Sequence, residues 1–569
     1  MFLIPQSKLY GVWMLLTTLA LIDRHNRQIS LKLNTASVGV NQLNNTQYDY
    51  IVVGAGTAGS IVACRLAATK HRVLLVEAGN AQHLLSTRLP GLMQLNMMRP
   101  TLYWTVRNDY TTNRSNGNQY IKSGKLFGGS HAINGMFYIK GSPKSFDSIY
   151  ENTGARGWSY SDVRPYFIRT ENDSKSDRNN NQTTSSPLGV SIQTYATEMF
   201  VAIESQLKNW GNKVVDYTVD SDVGIARLYR TIRNGHRLST AMAYILNDNN
   251  NNNGLCPQLS IITDTMASKV LIKQQSEDNG QPQAYGIEFI HLTNNFTYSV
   301  YSNNEIILSS GTLNTPKLLQ LSGIGEASKL STVVDGVKPT KIWSDIPVGH
   351  NLLCHVSASF EFRLKTQSLI DTISVADLYR ALLYITLSDI MEETKGNITI
   401  VSTDIWEPPV AYYPYIIRDN SPLMWATAYM FRFLETTSID NYIDPIPLEM
   451  DDNCQQCSDG RPLADCSEYH KCLLTVSAYA GHPIGTSRMG SINRSDTVVD
   501  NRLKVKGVSR LRVVDASVFP NVIDANTMAT AILVGEMGAQ MIINDNNNIN
   551  NNTTNNEQHN QSLYYHDDL

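Results

Sequence analysis

An α/β fold with a buried parallel sheet is predicted by three neighbouring observations: two short apolar runs, a glycine-rich turn between them, and an acid closing the second run. The first run, Tyr48-Asp49-Tyr50-Ile51-Val52-Val53, has the length and composition of a buried strand. Gly54-Ala55-Gly56-Thr57-Ala58-Gly59 follows, and the small and apolar residues from Ser60 to Ala68 predict a short helix. Val73-Leu74-Leu75-Val76 is a second buried strand, and Glu77 ends it. Strand, glycine turn, helix, strand and acid in this order describe a dinucleotide-binding βαβ unit. Gly54 permits the tight turn, Gly56 lets the backbone approach a pyrophosphate, and Gly59 lets helix and strand pack closely. Thr57 and Ala58 open the helix, whose free N–H groups and positive dipole end suit phosphate. Glu77 can accept hydrogen bonds from both ribose hydroxyls of an adenosine.

The chain of 569 residues is long enough for two or three domains or one large two-lobed enzyme. Its 42% hydrophobic and 17% charged residues suit a globular protein with a sizeable core. With a formal net charge of -4 and no basic stripe, nucleic acid is not an expected partner. The excess of 28 tyrosines over 13 phenylalanines points to pocket-lining aromatics with a polar tip.

Near the N-terminus, Lys8 precedes the apolar run from Val12 to Ile22, and Asp23-Arg24-His25 stops it. The run is short for a membrane span and suits a secretory signal over residues 1–24; the alternative is a helix docked on the body. Secretion is expected, without stable membrane insertion. Asn-X-Ser/Thr sites such as Asn44, Asn113, Asn295, Asn397 and Asn493 would then be glycosylation acceptors. Of the seven cysteines, Cys454, Cys457, Cys466 and Cys472 crowd into one polar loop. They suit two disulfides or a zinc ion, and a secreted chain favours disulfides. Cys64 reads as buried packing on the helix after the glycine turn.

Beyond the leader, a linker to residue 47 precedes a globular block from Tyr48 to about Asn544. Asn172 to Ser186 and Asp248 to Asn253 read as polar surface loops. Short β-rich segments are predicted at Tyr285 to Phe289, Tyr298 to Tyr301 and Glu305 to Ser309. The last of these runs into Gly311, with Thr312 and Asn314 expected to cap a helix carrying Pro316 in its first turn. Arg510 to Val514 reads as another buried strand ending in Asp515, and Leu473 to Tyr479 as a strand leading to His482. Residues 545–569 are Asn-rich and polar, and disorder is expected there.

Five further motifs, in order, carry a resemblance. They are Gly124-Lys125-Leu126-Phe127-Gly128-Gly129-Ser130-His131-Ala132-Ile133-Asn134-Gly135-Met136, the segment Gly311 to Gly325, and the segment Asp345 to His355. The remaining two are Gly481-His482-Pro483-Ile484-Gly485-Thr486 and Val513-Val514-Asp515-Ala516-Ser517, followed by Asn526-Thr527. Together they resemble the glucose–methanol–choline (GMC) flavoprotein oxidoreductases, nearest to the arthropod glucose-dehydrogenase-like branch. The resemblance runs from Tyr48 to Ile543. It implies FAD rather than NAD, which the glycine turn alone does not decide. It also implies a discontinuous Rossmann-like FAD-binding domain over residues 48–150, 225–345 and 475–544. A second α+β substrate domain with an antiparallel sheet is implied over 151–224 and 346–474.

The implied reaction is alcohol oxidation, in which a base takes the hydroxyl proton while hydride passes from carbon to flavin N5. A histidine suits the task of base. The resemblance assigns that role to His482. It places Asn526 opposite, to orient the substrate hydroxyl; Asn526 also suits a helix N-cap. The implied flavin neighbours are Gly128, Gly129, Ser130, Asn134, Gly135 and Met136 of the first signature, and Asp515, Ala516, Asn526 and Thr527 near the C-terminus. Val270 resembles part of the strand that contacts adenine. The implied substrate is an alcohol or sugar, and the implied acceptor a quinone or oxygen.

Three departures stand out. His131 occupies a position where the signature has a small residue, so it would tether the flavin, tune it, or point away. Asn181 to Pro187 replaces a glycine- and histidine-containing loop near the substrate entrance. Val356 to Cys472, which should build much of the substrate pocket, is individual to this chain, so substrate does not follow by analogy. A lyase with redox-silent FAD on the same fold, or a catalytically weak binding member, would share many of these features.

Overall fold

The computed structural model describes residues 40–81, 84–109, 119–173, 187–192, 198–216, 224–246, 256–275, 280–332, 341–365, 382–389, 394–414, 419–447, 454 and 461–564. The leader at 1–24, Asn181 to Ser186 and Asp248 to Asn253 lie outside them.

In chain order, β1 (Gln47–Val53), α1 (Thr57–Ala68) and β2 (Val73–Val76) form the βαβ unit at the predicted place. A hairpin of β3 (Tyr103–Asn108) and β4 (Gln119–Gly124) follows. Further on come β5 (Leu259–Ile262), β6 (Thr265–Gln274), β7 (Pro282–His291), β8 (Thr297–Leu308) and α2 (Gly311–Leu321). The next stretch holds β9 (His350–Leu364), β10 (Leu382–Asp389), β11 (Gly396–Thr399), β12 (Val410–Tyr412), α3 (Pro422–Thr436) and β13 (Ile443–Pro447). The chain ends through α4 (Ser467–Ser477), β14 (Ala478–Ile484), β15 (Leu511–Val513) and α5 (Thr527–Tyr564).

Two sheets organise these elements. The first has the order β5-β2-β1-β8-β7-β6, with β15 also pairing β8. Its centre is parallel: β1 lies between β2 and β8, and β8 aligns Ile306 with Leu511 of β15. A parallel sheet covered on both faces requires apolar runs rather than alternation. Accordingly Ile51, Val52, Leu74, Leu75, Ile306, Ile307 and Val513 are all fully buried. The segments predicted at Tyr298 and Glu305 are one strand, β8. Its first half pairs antiparallel with β7, and its second half enters the parallel centre.

The second sheet has the order β10-β9-β11-β12-β3-β4, and β9 also pairs β13 and β14. It is mainly antiparallel, as expected of a substrate lobe, and packs under α3 and α4 through Phe360, Phe362, Phe431 and Leu474. The lobes interleave more than the predicted boundaries allow. β3, β4 and β14 lie in the second sheet although their residues were expected in the FAD domain. Conversely, Trp158, Val163 and Phe167, expected in the substrate domain, join the core of the first.

Three local expectations are corrected. Leu473 to Ser477 is helical, and the strand begins at Ala478. Thr312 and Asn314 lie inside α2, which starts at Gly311 without a side-chain cap from Ser310. α5 continues to Tyr564, where the composition predicts a disordered tail. Its extension starts from anchored ground: Asp545 pairs with Arg512 at 2.6 Å and Lys504 at 3.0 Å, and Asn546 bonds His71 at 3.0 Å.

Cys64 is not merely packing, since it forms a disulfide with Cys256. Cys454 is joined to Cys472, and Cys466 is also disulfide-bonded, in line with the disulfide reading of that loop. Among the described residues, no helix is long and apolar enough to cross a membrane.

Candidate active site

A cavity of about 770 Å3 runs between the two sheets. Its nucleotide end is built by the βαβ unit. Gly54 has φ +104°, and a Cβ there would meet the Ser309 carbonyl oxygen at 2.4 Å, so only glycine fits this turn. Gly59 packs α1 onto the turn: a Cβ would lie 1.9 Å from the Gly54 carbonyl oxygen. At Gly56 a Cβ would have no atom within 4 Å; the space is open and faces the cavity. A missing side chain beside an open cradle is what a pyrophosphate needs. α1 begins there with no acid in its first turn, so its dipole is free to meet an anion.

Glu77 is buried at the tip of β2. Its Oε2 accepts from Ala55 N at 2.8 Å and its Oε1 from Gly79 N at 2.7 Å. Burial pushes its carboxyl up to about 7, against these two N–H donors. A carboxylate has further acceptor positions, and those of Glu77 border the cavity where a ribose would lie.

The first signature crosses the middle of the cavity. Gly129 approaches so closely that a Cβ would lie 2.8 Å from Gly56 Cα. Ser130, Asn134 and Gly135 line the space with it. Asn134 is fixed: its Oδ1 accepts from Met136 N at 3.0 Å and from Arg237 Nη1 at 2.9 Å. Asp515 and Ala516 line the opposite wall with Asn526 and Thr527. Asp515 is engaged by neighbouring donors rather than open space. Its Oδ2 accepts from Gly311 N at 2.9 Å and Thr315 Oγ1 at 2.6 Å, and its Oδ1 from Ser517 N at 2.8 Å.

Four expected cofactor residues stand back from the cavity. Gly59 packs α1, as its sequence role predicts. Gly128 donates its N–H to the Ala55 carbonyl at 2.8 Å and shapes the turn. Met136 is fully buried behind Asn134. Val270 is fully buried too, its N–H bonded to Ser322 Oγ at 2.8 Å. The residues of β6 that face the cavity are Thr265, Met266 and Ala267, because the strand leaves its edge after them.

His131 points away. Its Nδ1 accepts from Thr240 N at 3.3 Å and its Nε2 faces Thr231 Oγ1 at 3.0 Å, so neither nitrogen is left for a tether. Burial lowers its pKa to about 3 and keeps it neutral.

The reactive end is formed where β14 meets the start of α5. His482 has φ +59°, a left-handed conformation uncommon for a side-chain-bearing residue and often found at working sites. Its Nε2 lies 3.2 Å from Asn526 Nδ2, and its Nδ1 lies 3.2 Å from Nδ1 of His355. His355, on β9, is buried, and its Nε2 sits 2.9 Å from the Ile523 carbonyl.

These contacts assign the protons. A carbonyl only accepts, so His355 Nε2 carries hydrogen and its Nδ1 is an acceptor. His482 must then donate from Nδ1. Its Nε2 is left with a lone pair beside the Asn526 amide, in the cavity. Burial and the neighbouring His355 lower the His482 pKa to about 4, so its imidazole is unprotonated at neutral pH.

Sequence reasoning brought His482 and Asn526 forward and missed His355 as a partner. Its only signal was its place at the end of the Asp345 to His355 segment. The register supplies the rest, pairing His355 with Gly481 beside His482.

A discontinuous dinucleotide-binding lobe, an antiparallel lobe and a hydrogen-bonded histidine pair between them match a flavin-dependent oxidoreductase architecture. Two family models, each described as GMC oxidoreductase, match residues 48–357 and 392–535, and the chain belongs to that family. It is an FAD-dependent oxidoreductase acting on CH–OH groups, and the cradle at Gly56, the α1 terminus and Glu77 fit that cofactor. An ecdysone oxidase of Bombyx mori is 29% identical over 581 residues, covering 88% of this chain and 82% of that protein. An oxygen-dependent choline dehydrogenase of Photobacterium profundum is 27% identical, covering 88% and 94%. A glucose dehydrogenase [FAD, quinone] of Drosophila melanogaster is 25% identical, covering 87% of each. Among solved structures, a formate oxidase superposes with a TM-score of 0.73 at 20% identity, covering 89% of this chain and 99% of that one. A pyridoxine 4-oxidase gives 0.71 at 21%, covering 86% and 98%. Both share the fold.

Proposed function

We propose that the protein oxidises an alcohol or sugar hydroxyl and passes the electrons to a quinone-type acceptor or oxygen. The observation that carries this reading is the Ile523–His355–His482–Asn526 chain, which leaves a basic Nε2 facing the cavity. His482 takes the hydroxyl proton, and the nascent imidazolium keeps its Nδ1–H bond to His355. Asn526 holds the substrate oxygen by accepting or donating, without competing as a base. Bound FAD supplies the hydride acceptor. The second sheet covers this end of the cavity and limits water around the reacting carbon.

Relatives named for choline, ecdysone and glucose share these lobes, so kinship leaves the substrate open. The proposal includes a secreted location, which the expected leader supports. The Cys64–Cys256 and Cys454–Cys472 disulfides suit an oxidising compartment.

The test is an anaerobic titration of the purified holoenzyme with a panel of alcohols and sugars, read in the flavin band near ~450 nm. Bleaching by one class names the substrate. Reoxidation on admitting air assigns oxygen as acceptor, and reoxidation only by added quinone assigns a dehydrogenase. A bound flavin that no hydroxyl compound bleaches overturns the reading.

A further inference from the structure

Asn314 and Lys317 stand three residues apart on α2, a spacing that puts them on one helical face, and both line the cavity. The Asn314 Nδ2 is buried with no hydrogen-bond partner. Lys317 is only 6% exposed, and its ammonium donates to the Ile405 carbonyl at 2.5 Å. An ammonium has three donors, so this one bond leaves two unused. No carboxylate of the described residues forms an ion pair with it.

Asp404 and Glu407, both exposed, act on Lys317 at longer range and favour its charge. Burial opposes them and lowers its pKa to about 8. Buried donors left unmade are costly, and that cost is removed when an acceptor arrives.

This corner adjoins the reactive end: Thr312 of α2 donates its Oγ1–H to the carbonyl of Pro483, the residue after His482, at 2.8 Å, and Ile405 lies between β11 and β12 of the second sheet. The two acids that line the cavity, Glu77 and Asp515, are both engaged by backbone N–H groups. A cationic substrate group therefore finds no unengaged carboxylate among the described lining residues. An acceptor oxygen finds two donors, and the Trp104 and Phe137 rings of the same cavity already carry cations, Lys125 Nζ at 4.5 Å and Arg230 Cζ at 4.9 Å from their centroids.

We propose that Asn314 and Lys317 form an acceptor-binding corner for a carbonyl or carboxylate oxygen of the substrate. The enzyme thereby selects alcohols that carry such an oxygen over alcohols that carry a cation. The inference rests on the alcohol-oxidising reading above, but its test needs no turnover.

The test is calorimetric titration of the oxidised holoenzyme with three ring probes that lack an oxidisable hydroxyl: benzoate, acetophenone and phenyltrimethylammonium. The wild type is expected to bind at least one of the two oxygen probes about tenfold or more tightly than the cation. Preference for benzoate marks a carboxylate substrate, and preference for acetophenone a neutral carbonyl. Lys317→Met and Asn314→Leu should each weaken the favoured probe about tenfold while flavin content and spectrum stay unchanged. Wild-type benzoate binding should also weaken as pH rises through about 8, where Lys317 loses its proton while benzoate stays ionised.

Equal binding of the three probes overturns the inference. So do variants that bind the favoured probe like the wild type, or variants that lose flavin, since the donors would then serve the cofactor. A holoenzyme reduced by alcohols that fails this probe test retains the proposed function and loses only the acceptor corner.

Discussion

Three neighbours leave His482 one arrangement of protons, and its proposed role as base rests on that arrangement. His482→Ala should retain flavin and lose about 10² to 10⁴ in kcat, measured by anaerobic flavin reduction. His355→Leu should also retain flavin but leave the His482 Nδ1–H unpaired in a buried site. We expect a smaller loss of about ten- to a hundredfold. For the wild type the sign of the pH effect follows from burial. The His482 pKa is lowered to about 4, so kcat/KM should stay flat on the acid side of neutrality and fall only as pH approaches that value. An acid limb centred at an ordinary histidine value would show instead that the site does not lower the His482 pKa. At the other end of the cavity, Gly56→Val should fill the open cradle; normal flavin content in that variant would refute the phosphate-binding reading. Single residues were legible where chemistry constrains their neighbours in sequence, as at Gly54, Gly56, Glu77 and His482. His355 was not, because its partner lies 127 residues away and meets it only through strand register.

Elements were legible where a buried run has one interpretation. β1, α1 and β2 appeared where the apolar pattern placed them. The apolar stretch from Leu473 did not, because a short buried run serves helix and strand equally. The start of α2 shows a different limit. Thr312 and Asn314 have the side chains of caps, but the cap comes from Asp515, about 200 residues later. That carboxylate sits at the positive end of the helix and binds Gly311 N and Thr315 Oγ1. Asp515→Ala would strand these donors and Ser517 N. The expected loss is about 3 kcal/mol of stability in urea unfolding, together with weaker flavin retention, since the same wall lines the cavity. Unchanged stability would mean that water replaces the carboxylate at no cost.

Across the whole molecule the lobes are threaded through each other. β3 and β4 leave the nucleotide part to finish the second sheet, and β14 does so again to deliver His482. Domain limits drawn from motifs follow cofactor contacts, whereas sheets follow pairing partners that a single sequence does not display. The Cys64–Cys256 bridge adds a long-range tie from α1 to the approach of β5, spanning 192 residues. Replacing both cysteines with serine should cost about 2–5 kcal/mol, seen as a lower urea midpoint that reductant no longer shifts through this bridge. No change in that midpoint would show that packing alone holds α1.

The cavity draws its lining from Val53 at one extreme and Ala531 at the other. During synthesis the first glycine turn therefore emerges long before the imidazole, its amide partner and the helix that covers α1. A nascent chain can begin its phosphate cradle early, but it cannot complete the wall around a cofactor until the residues up to Ala531 have emerged.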